Sequence, residues 1–239
     1  MRKTLIIAEA GVNHNGDIKL AKKMITAAKN SGADIVKFQS FTADNLVTKS
    51  ADKAEYQKVT TSKKESQFNM LKSLELSQED HFMLQELCNK KKIEFLSSAF
   101  DVEGLKFLKT MNPKRFKIPS GEITNYPYLR IVASFEKEVI LSTGMANMKE
   151  IRDAFKLLKE NGLTRRKIKI LHCNTEYPSL LEDINLRAMV EINNKLGVEV
   201  GYSDHTTSVL VPSIAVALGA KIIEKHFTLD RKLPGPDHS

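Results

Sequence analysis

Short apolar runs recur along the chain, separated by stretches with helical periodicity. They fall at Leu5–Ala10, Ile35–Ser40, Glu94–Ala99, Arg115–Ser120, Glu138–Thr143, Lys167–Asn174, Glu199–Asp204 and Lys221–Thr228. The runs are continuous rather than alternating, which fits parallel strands buried on both faces. Between them, Ile18–Ser31 puts Leu20, Met24, Ile25 and Ala28 on one stripe, with Asp17 as N-cap and Gly32 as stop. Ser77–Lys91, Asn147–Asn161 and Ser208–Leu218 read as further helices. Eight strands with seven complete crossovers predict a (β/α)8 TIM barrel filling 1–239 as one catalytic domain. An open doubly wound sheet would want a glycine-rich first turn, and Gly11-Val12-Asn13-His14-Asn15-Gly16 has no GxGxxG. The eighth helix is missing, because Ser239 follows directly on the last strand. That reads as a fragment of a longer protein. The polar stretch 41–66 is long for a connection inside a compact domain, which marks it as functional.

Composition narrows the class. At 41% hydrophobic and 28% charged residues, the chain is neither disordered nor fibrous. No apolar run approaches the roughly 18–20 residues of a membrane span, so no membrane partner is expected. Met1-Arg2-Lys3 resembles the start of a signal peptide, but Glu9 arrives before an apolar region is complete. Cys88 and Cys173 form no CxxC, so a reducing, cytoplasmic setting without a disulfide is expected. The +8 net charge could signal nucleic acid. The excess, however, is spread over helices (Lys19, Lys22, Lys23, Lys29, Lys156, Lys159) and over the short runs Lys63-Lys64, Lys90-Lys91-Lys92 and Arg165-Arg166-Lys167. Solvated helix faces explain it, and no nucleic-acid partner is expected.

In a (β/α)8 barrel the reactive groups sit at the carboxyl ends of the strands. Those ends are polar here. The first carries Glu9, Asn13 and His14, the second Lys37 and Gln39, and the third Ser97, Ser98 and Asp101. The fourth carries Lys117, Ser120 and Glu122, the fifth Ser142 and Thr143, and the sixth His172, Asn174, Thr175 and Tyr177. Ser203, Asp204 and His205 end the seventh, and Glu224, Lys225 and His226 the eighth. Burying so many polar groups is costly unless they pair or bind something. Lys37 and Lys117 lie inside apolar runs, and a buried ammonium needs an anion. Three readings are open: an internal salt bridge to Glu9, Glu122 or Glu224; a phosphate or carboxylate clamp helped by Ser120, Ser142 and Thr143; or a Schiff-base lysine. His205 and His226 end neighbouring strands, where one divalent cation could take both imidazoles, with Glu9 binding directly or through water. Oxygen-rich surroundings with two histidines suit Mn2+ better than structural zinc. Cys173 is expected to face the helix layer and to be inert.

Several segments closely resemble the sialic acid synthases, the family of N-acetylneuraminate, legionaminate and pseudaminate synthases. They are Ile6–Gly16, Val36–Gln39, Lys117–Glu122, Leu141–Met145, Gly201–His205, Glu224–Thr228 and Gly235–His238, in order along the whole chain. The resemblance implies a barrel that condenses phosphoenolpyruvate with an N-acetylated mannosamine-type sugar and releases phosphate. It implies His205 and His226 as ligands of a divalent metal, Mn2+ with Mg2+ or Co2+ as the other candidates, and Glu9 on a metal-bound water. It implies Lys37, Ser98, Lys117, Ser120, Ser142, Thr175 and Ser203 around phosphoenolpyruvate, and Gln39, Glu122, Tyr177 and Asp237 around the sugar. Glu9 and Glu122 are the implied proton acceptors. Thr175 and Pro119 depart from the N-acetylneuraminate pattern, where Asn and Gly are common. Phe38 and Glu176-Tyr177-Pro178 look more like the legionaminate type, whose sugar is 4-acetamido-6-deoxy. The resemblance also implies a homodimer when full length, with a C-terminal antifreeze-like domain that is absent here and would supply an arginine to the partner's sugar site. The rival readings are another phosphoenolpyruvate-condensing or Schiff-base aldolase barrel, and a silent barrel that binds an anion.

Overall fold

The computed structural model describes residues 3–54, 57, 58, 61 and 65–238. The eight apolar runs become eight strands: β1 (Leu5–Gly11), β2 (Ile35–Ser40), β3 (Glu94–Ala99), β4 (Arg115–Ile118), β5 (Glu138–Ser142), β6 (Ile168–Cys173), β7 (Glu199–Asp204) and β8 (Ile222–His226). They pair in sequence order as a closed barrel, β1 to β8. The β2–β3, β4–β5, β5–β6, β6–β7 and β7–β8 ladders are parallel. The (β/α)8 expectation holds.

The crossovers are helical. They comprise α1 (Ile18–Asn30), α2 (Ala43–Leu46), α3 (Gln67–Ser73), α4 (Gln78–Lys91), α5 (Val102–Thr110), α6 (Tyr126–Ala133), α7 (Met148–Glu160), α8 (Arg187–Leu196) and α9 (Val211–Ala217). Their starts follow from capping chemistry. Asp17 accepts from the Lys19 amide, and Ser77 with Asp80 and Asn147 with Glu150 form reciprocal capping boxes. On α7 the residues Ile151, Ala154, Phe155 and Leu158 are buried, the spacing of a single apolar stripe. Among the described residues no helix follows β8, and no helix is long and apolar enough to cross a membrane.

By contact density the chain divides into two compact units. One takes the chain up to Ile7 with Leu108–Lys225, and the other takes Ala8–Phe107 with His226 onward. In the first, the Leu5 amide donates to Lys221 O at 2.9 Å. In the second, the Phe227 amide donates to Glu9 O at 3.1 Å, and Val12, Phe41, Met70 and Leu74 form a buried cluster.

Some boundaries move. β4 stops at Ile118 because Pro119 has no amide to offer the ladder, and Ser120–Glu122 turns instead into a short 3-10 helix. Ser208 does not open a helix; its hydroxyl accepts from the Leu210 amide, and α9 begins at Val211 with Pro212 in its first turn. The 41–66 stretch is less bare than expected. It holds α2 and a buried Lys53, whose ammonium meets Glu65 at 3.1 Å and Thr61 at 2.9 Å. Lys63-Lys64, Met1-Arg2 and Ser239 lie outside the described residues.

Candidate active site

Lys37 and Lys117, the two lysines inside apolar runs, resolve first, one in each unit. Lys37 on β2 meets Glu9 on β1 at 2.7 Å and donates to Ser98 Oγ on β3 at 3.3 Å. Gln39, two residues on and therefore on the same face, donates to the other Glu9 oxygen at 3.3 Å. Gly11 ends β1 at φ +52°. A Cβ there would lie 3.4 Å from both Glu9 Oε1 and His226 Cε1, and 3.5 Å from Gln39 Nε2, so these groups crowd one bare backbone position. His226 Nδ1 lies 3.9 Å from Asp237 Oδ2. Burial pushes the Asp237 carboxyl up to about 6.

The other unit repeats the motif. Lys117 on β4 meets Glu224 on β8 at 3.0 Å, and the same carboxylate oxygen accepts from Ser203 on β7 at 3.0 Å. Ser203 Oγ is also 3.3 Å from His205 Nε2. The opposite ring nitrogen of His205 lies 2.6 Å from the carbonyl of Asn174. A carbonyl only accepts, so Nδ1 carries the proton and Nε2 the lone pair. Burial holds this imidazole neutral, down to about 4. Tyr177 stacks on it at 4.2 Å between ring centres.

Ser120 Oγ accepts from the Gly144 amide at 2.9 Å and lies 3.4 Å from Cys173 Sγ. Gly144 has to be bare: a Cβ would sit 2.5 Å from Thr175 Cγ2 and 2.9 Å from Ser120 Oγ. Ser142 is buried and lies two residues beyond Ile140, the register partner of Lys117, so it shares that lysine's face. Glu122 accepts from Asn125 at 2.6 Å.

Four readings of the strand ends need correction. Cys173 does not face the helix layer: it is the register partner of Ser203 and touches Ser120. His172 takes the opposite face, pairing in register with Tyr202, and its Nε2 bonds Ile184 O at 2.8 Å. Ser97 turns toward α4, where Ser40 Oγ bridges it and His81 Nε2 at 2.7 Å each. Lys225 is engaged by Asp204 at 2.5 Å and by Thr206 O at 2.6 Å. Sequence reasoning missed the carbonyl of Asn174, which has no side-chain signature. It also missed Asn15 and His238, described below.

The fold and these clusters define a class: a closed (β/α)8 barrel with lysine–carboxylate pairs and a carbonyl-oriented histidine at its strand ends. The chain belongs to the NeuB family, whose family model matches residues 24–239. It is 53% identical over 236 residues to N,N'-diacetyllegionaminic acid synthase of Legionella pneumophila, covering 98% of this chain and 66% of that protein. It is also 53% identical over 238 residues to the enzyme of the same name from Campylobacter jejuni, covering 100% of this chain and 71% of that protein. A crystal structure of N-acetylneuraminic acid synthetase from Leptospira borgpetersenii, in complex with citrate, superimposes with a TM-score of 0.87. The identity there is 35%, over 99% of this chain and 77% of that one. The chain thus spans about two thirds of its curated relatives' length.

Proposed function

We propose that the chain is the catalytic barrel of a nonulosonic acid synthase, which joins phosphoenolpyruvate to an N-acetylated mannosamine-type sugar and releases phosphate. The observation that carries this reading is the pair of buried ammonium groups, Lys37 and Lys117. Each meets a buried carboxylate and lies near serine hydroxyls at strand ends. Such groups suit a small, highly charged anion. Both lysines are engaged in ion pairs with carboxylates, which speaks against the Schiff-base alternative. The 53% identity to two legionaminic acid synthases supports a 2,4-diacetamido-6-deoxy sugar over N-acetylmannosamine.

The assignment of residues follows the resemblance to the sialic acid synthases. Lys37, Ser98, Lys117, Ser120, Ser142, Thr175 and Ser203 bind phosphoenolpyruvate, and Gln39, Glu122, Tyr177 and Asp237 bind the sugar. A divalent cation, Mn2+, is the proposed cofactor, with His205 and His226 as its ligands and Glu9 acting through water. His205 fits that role, being a neutral imidazole oriented by a backbone carbonyl through Nδ1. Among the described residues no group of three or more His, Cys, Asp or Glu forms a metal cage. Two protein imidazoles would leave positions open to oxygen ligands, which a borderline cation would accept. Bound there, the cation supplies Lewis-acid polarisation of the sugar aldehyde.

The lysines and serines hold phosphoenolpyruvate so that its methylene carbon meets the aldehyde carbon. The new C–C bond uses the enol π electrons, and the aldehyde oxygen takes a proton to become a hydroxyl. Water adds to the cationic carbon that bears the phosphate, and Glu9 or Glu122 accepts its proton. The C–O bond to phosphate then breaks as the new hydroxyl passes its proton to the departing phosphate, leaving the ketone of the product. The same reading carries a homodimeric, cytosolic full-length protein with a C-terminal antifreeze-like domain. The buried free thiols of Cys88 and Cys173 suit a reducing compartment.

The test supplies full-length protein with phosphoenolpyruvate, Mn2+ and either N-acetylmannosamine or its 4-acetamido-6-deoxy analogue, and follows phosphate release. Release with the analogue is expected to exceed that with N-acetylmannosamine. It should be lost on chelation by EDTA and in His205→Ala and His226→Ala. Turnover that survives either substitution refutes the metal assignment, and trapping of pyruvate on a lysine by borohydride refutes the mechanism.

A further inference from the structure

Asn13 lies just after β1, buried to 1% exposure. Its Nδ2 donates to Phe227 O at 2.9 Å and to Asp237 O at 3.1 Å, across more than 200 residues of chain. Both acceptors are carbonyls, so the amide orientation is fixed and Oδ1 is left as a buried acceptor with no donor among the described residues. Asn15 extends the contact, donating from Nδ2 to Pro234 O at 2.7 Å. Its Oδ1 lies 3.3 Å from His238 Nε2, and His238 Nδ1 lies 2.6 Å from Thr228 Oγ1. Asn15 Oδ1 can only accept, so His238 Nε2 carries the proton of this contact. Gly235, at φ +139°, makes the approach possible: a Cβ would stand 2.6 Å from Asn15 Oδ1 and 2.8 Å from the His238 ring.

The segment 234–238 has no helix or strand of its own. A carboxylate on such a segment is held only as well as its backbone is fastened. We propose that Asn13 is a positioning residue for Asp237, and that Asn13, Asn15 and His238 form a clasp that sets this carboxylate beside His226 for contact with the acceptor sugar. The buried Oδ1 of Asn13 is the acceptor left for a hydroxyl or N–H of that sugar. This inference rests on the function proposed above, which assigns Asp237 to the sugar.

Two measurements on the full-length protein test it. Hydrogen exchange across 228–238 is expected to quicken about tenfold or more in Asn13→Ala and His238→Ala, while α7 keeps its protection. In steady-state assays Asn13→Ala should raise KM for the sugar about tenfold, the loss of two hydrogen bonds, with KM for phosphoenolpyruvate within twofold of the parent. His238→Gln, which can still donate and accept, should recover most of the His238→Ala defect. Unchanged exchange across 228–238 overturns the clasp. Equal losses for both substrates reduce Asn13 to general structural support and overturn the positioning role. A parent enzyme that condenses no acetamido sugar refutes the proposed function instead, while the exchange experiment still decides whether the clasp exists.

Discussion

Lys117 and Glu224 show how one contact can serve two purposes. As an internal salt bridge the pair is a structural liability: both charges are buried, and their mutual attraction and the Ser203 hydroxyl have to offset the desolvation. As part of an anion site it holds the lysine in place until a substrate competes for it. A pair of substitutions separates these roles. Lys117→Met leaves Glu224 without its counter-ion and should cost about 3–5 kcal/mol in chemical denaturation. Adding Glu224→Leu removes the orphaned charge and should bring stability back to within about 1 kcal/mol of the parent. Neither variant should bind phosphoenolpyruvate in a calorimetric titration. Binding that returns with stability would mean that the pair is structural only.

At the scale of elements, the strands were legible because continuous apolar runs leave little else for a buried parallel sheet, and the helix starts because capping is chemically specific. Asn147 is an example. Its side chain accepts from the amides of Lys149 and Glu150, and Glu150 returns a bond to the Asn147 amide. Asn147→Ala should therefore cost about 1 kcal/mol, read as a lowered denaturation midpoint with an unchanged slope. What the sequence concealed was phase. Along β6 the run Ile-Lys-Ile-Leu-His-Cys is largely apolar in both phases, so periodicity carries no information on which residues face the strand ends' interior. The register with β7 supplies it, pairing Cys173 with Ser203 and His172 with Tyr202. The same ambiguity hid Ser97, whose hydroxyl looked like a site group and instead joins Ser40 and His81. The clasp around Asp237 was invisible for another reason: it depends on backbone carbonyls, which every residue has.

For the molecule as a whole, buried histidines contribute to the loss of stability in acid. His14 is fully buried, and His81 is 2% exposed. Burial lowers both, His14 to about 4 against an ordinary 6.5, and the His81 ring lowers His14 further. The folded chain thus binds these protons less readily than the unfolded chain. Their contribution is complete above about pH 6.5, is lost progressively as pH falls toward 4, and changes no further once both states are protonated. For His14 the span corresponds to about 3 kcal/mol. His14→Gln removes the titration but keeps a polar side chain that can accept from the Gly16 amide, which His14 Nδ1 now does at 3.0 Å. Denaturation free energies measured from pH 7 to pH 4.5 should fall less steeply in His14→Gln than in the parent, by about one proton's worth of slope at the acid end. Parallel curves would show that this ring takes up its proton as readily in the folded chain as in the unfolded one.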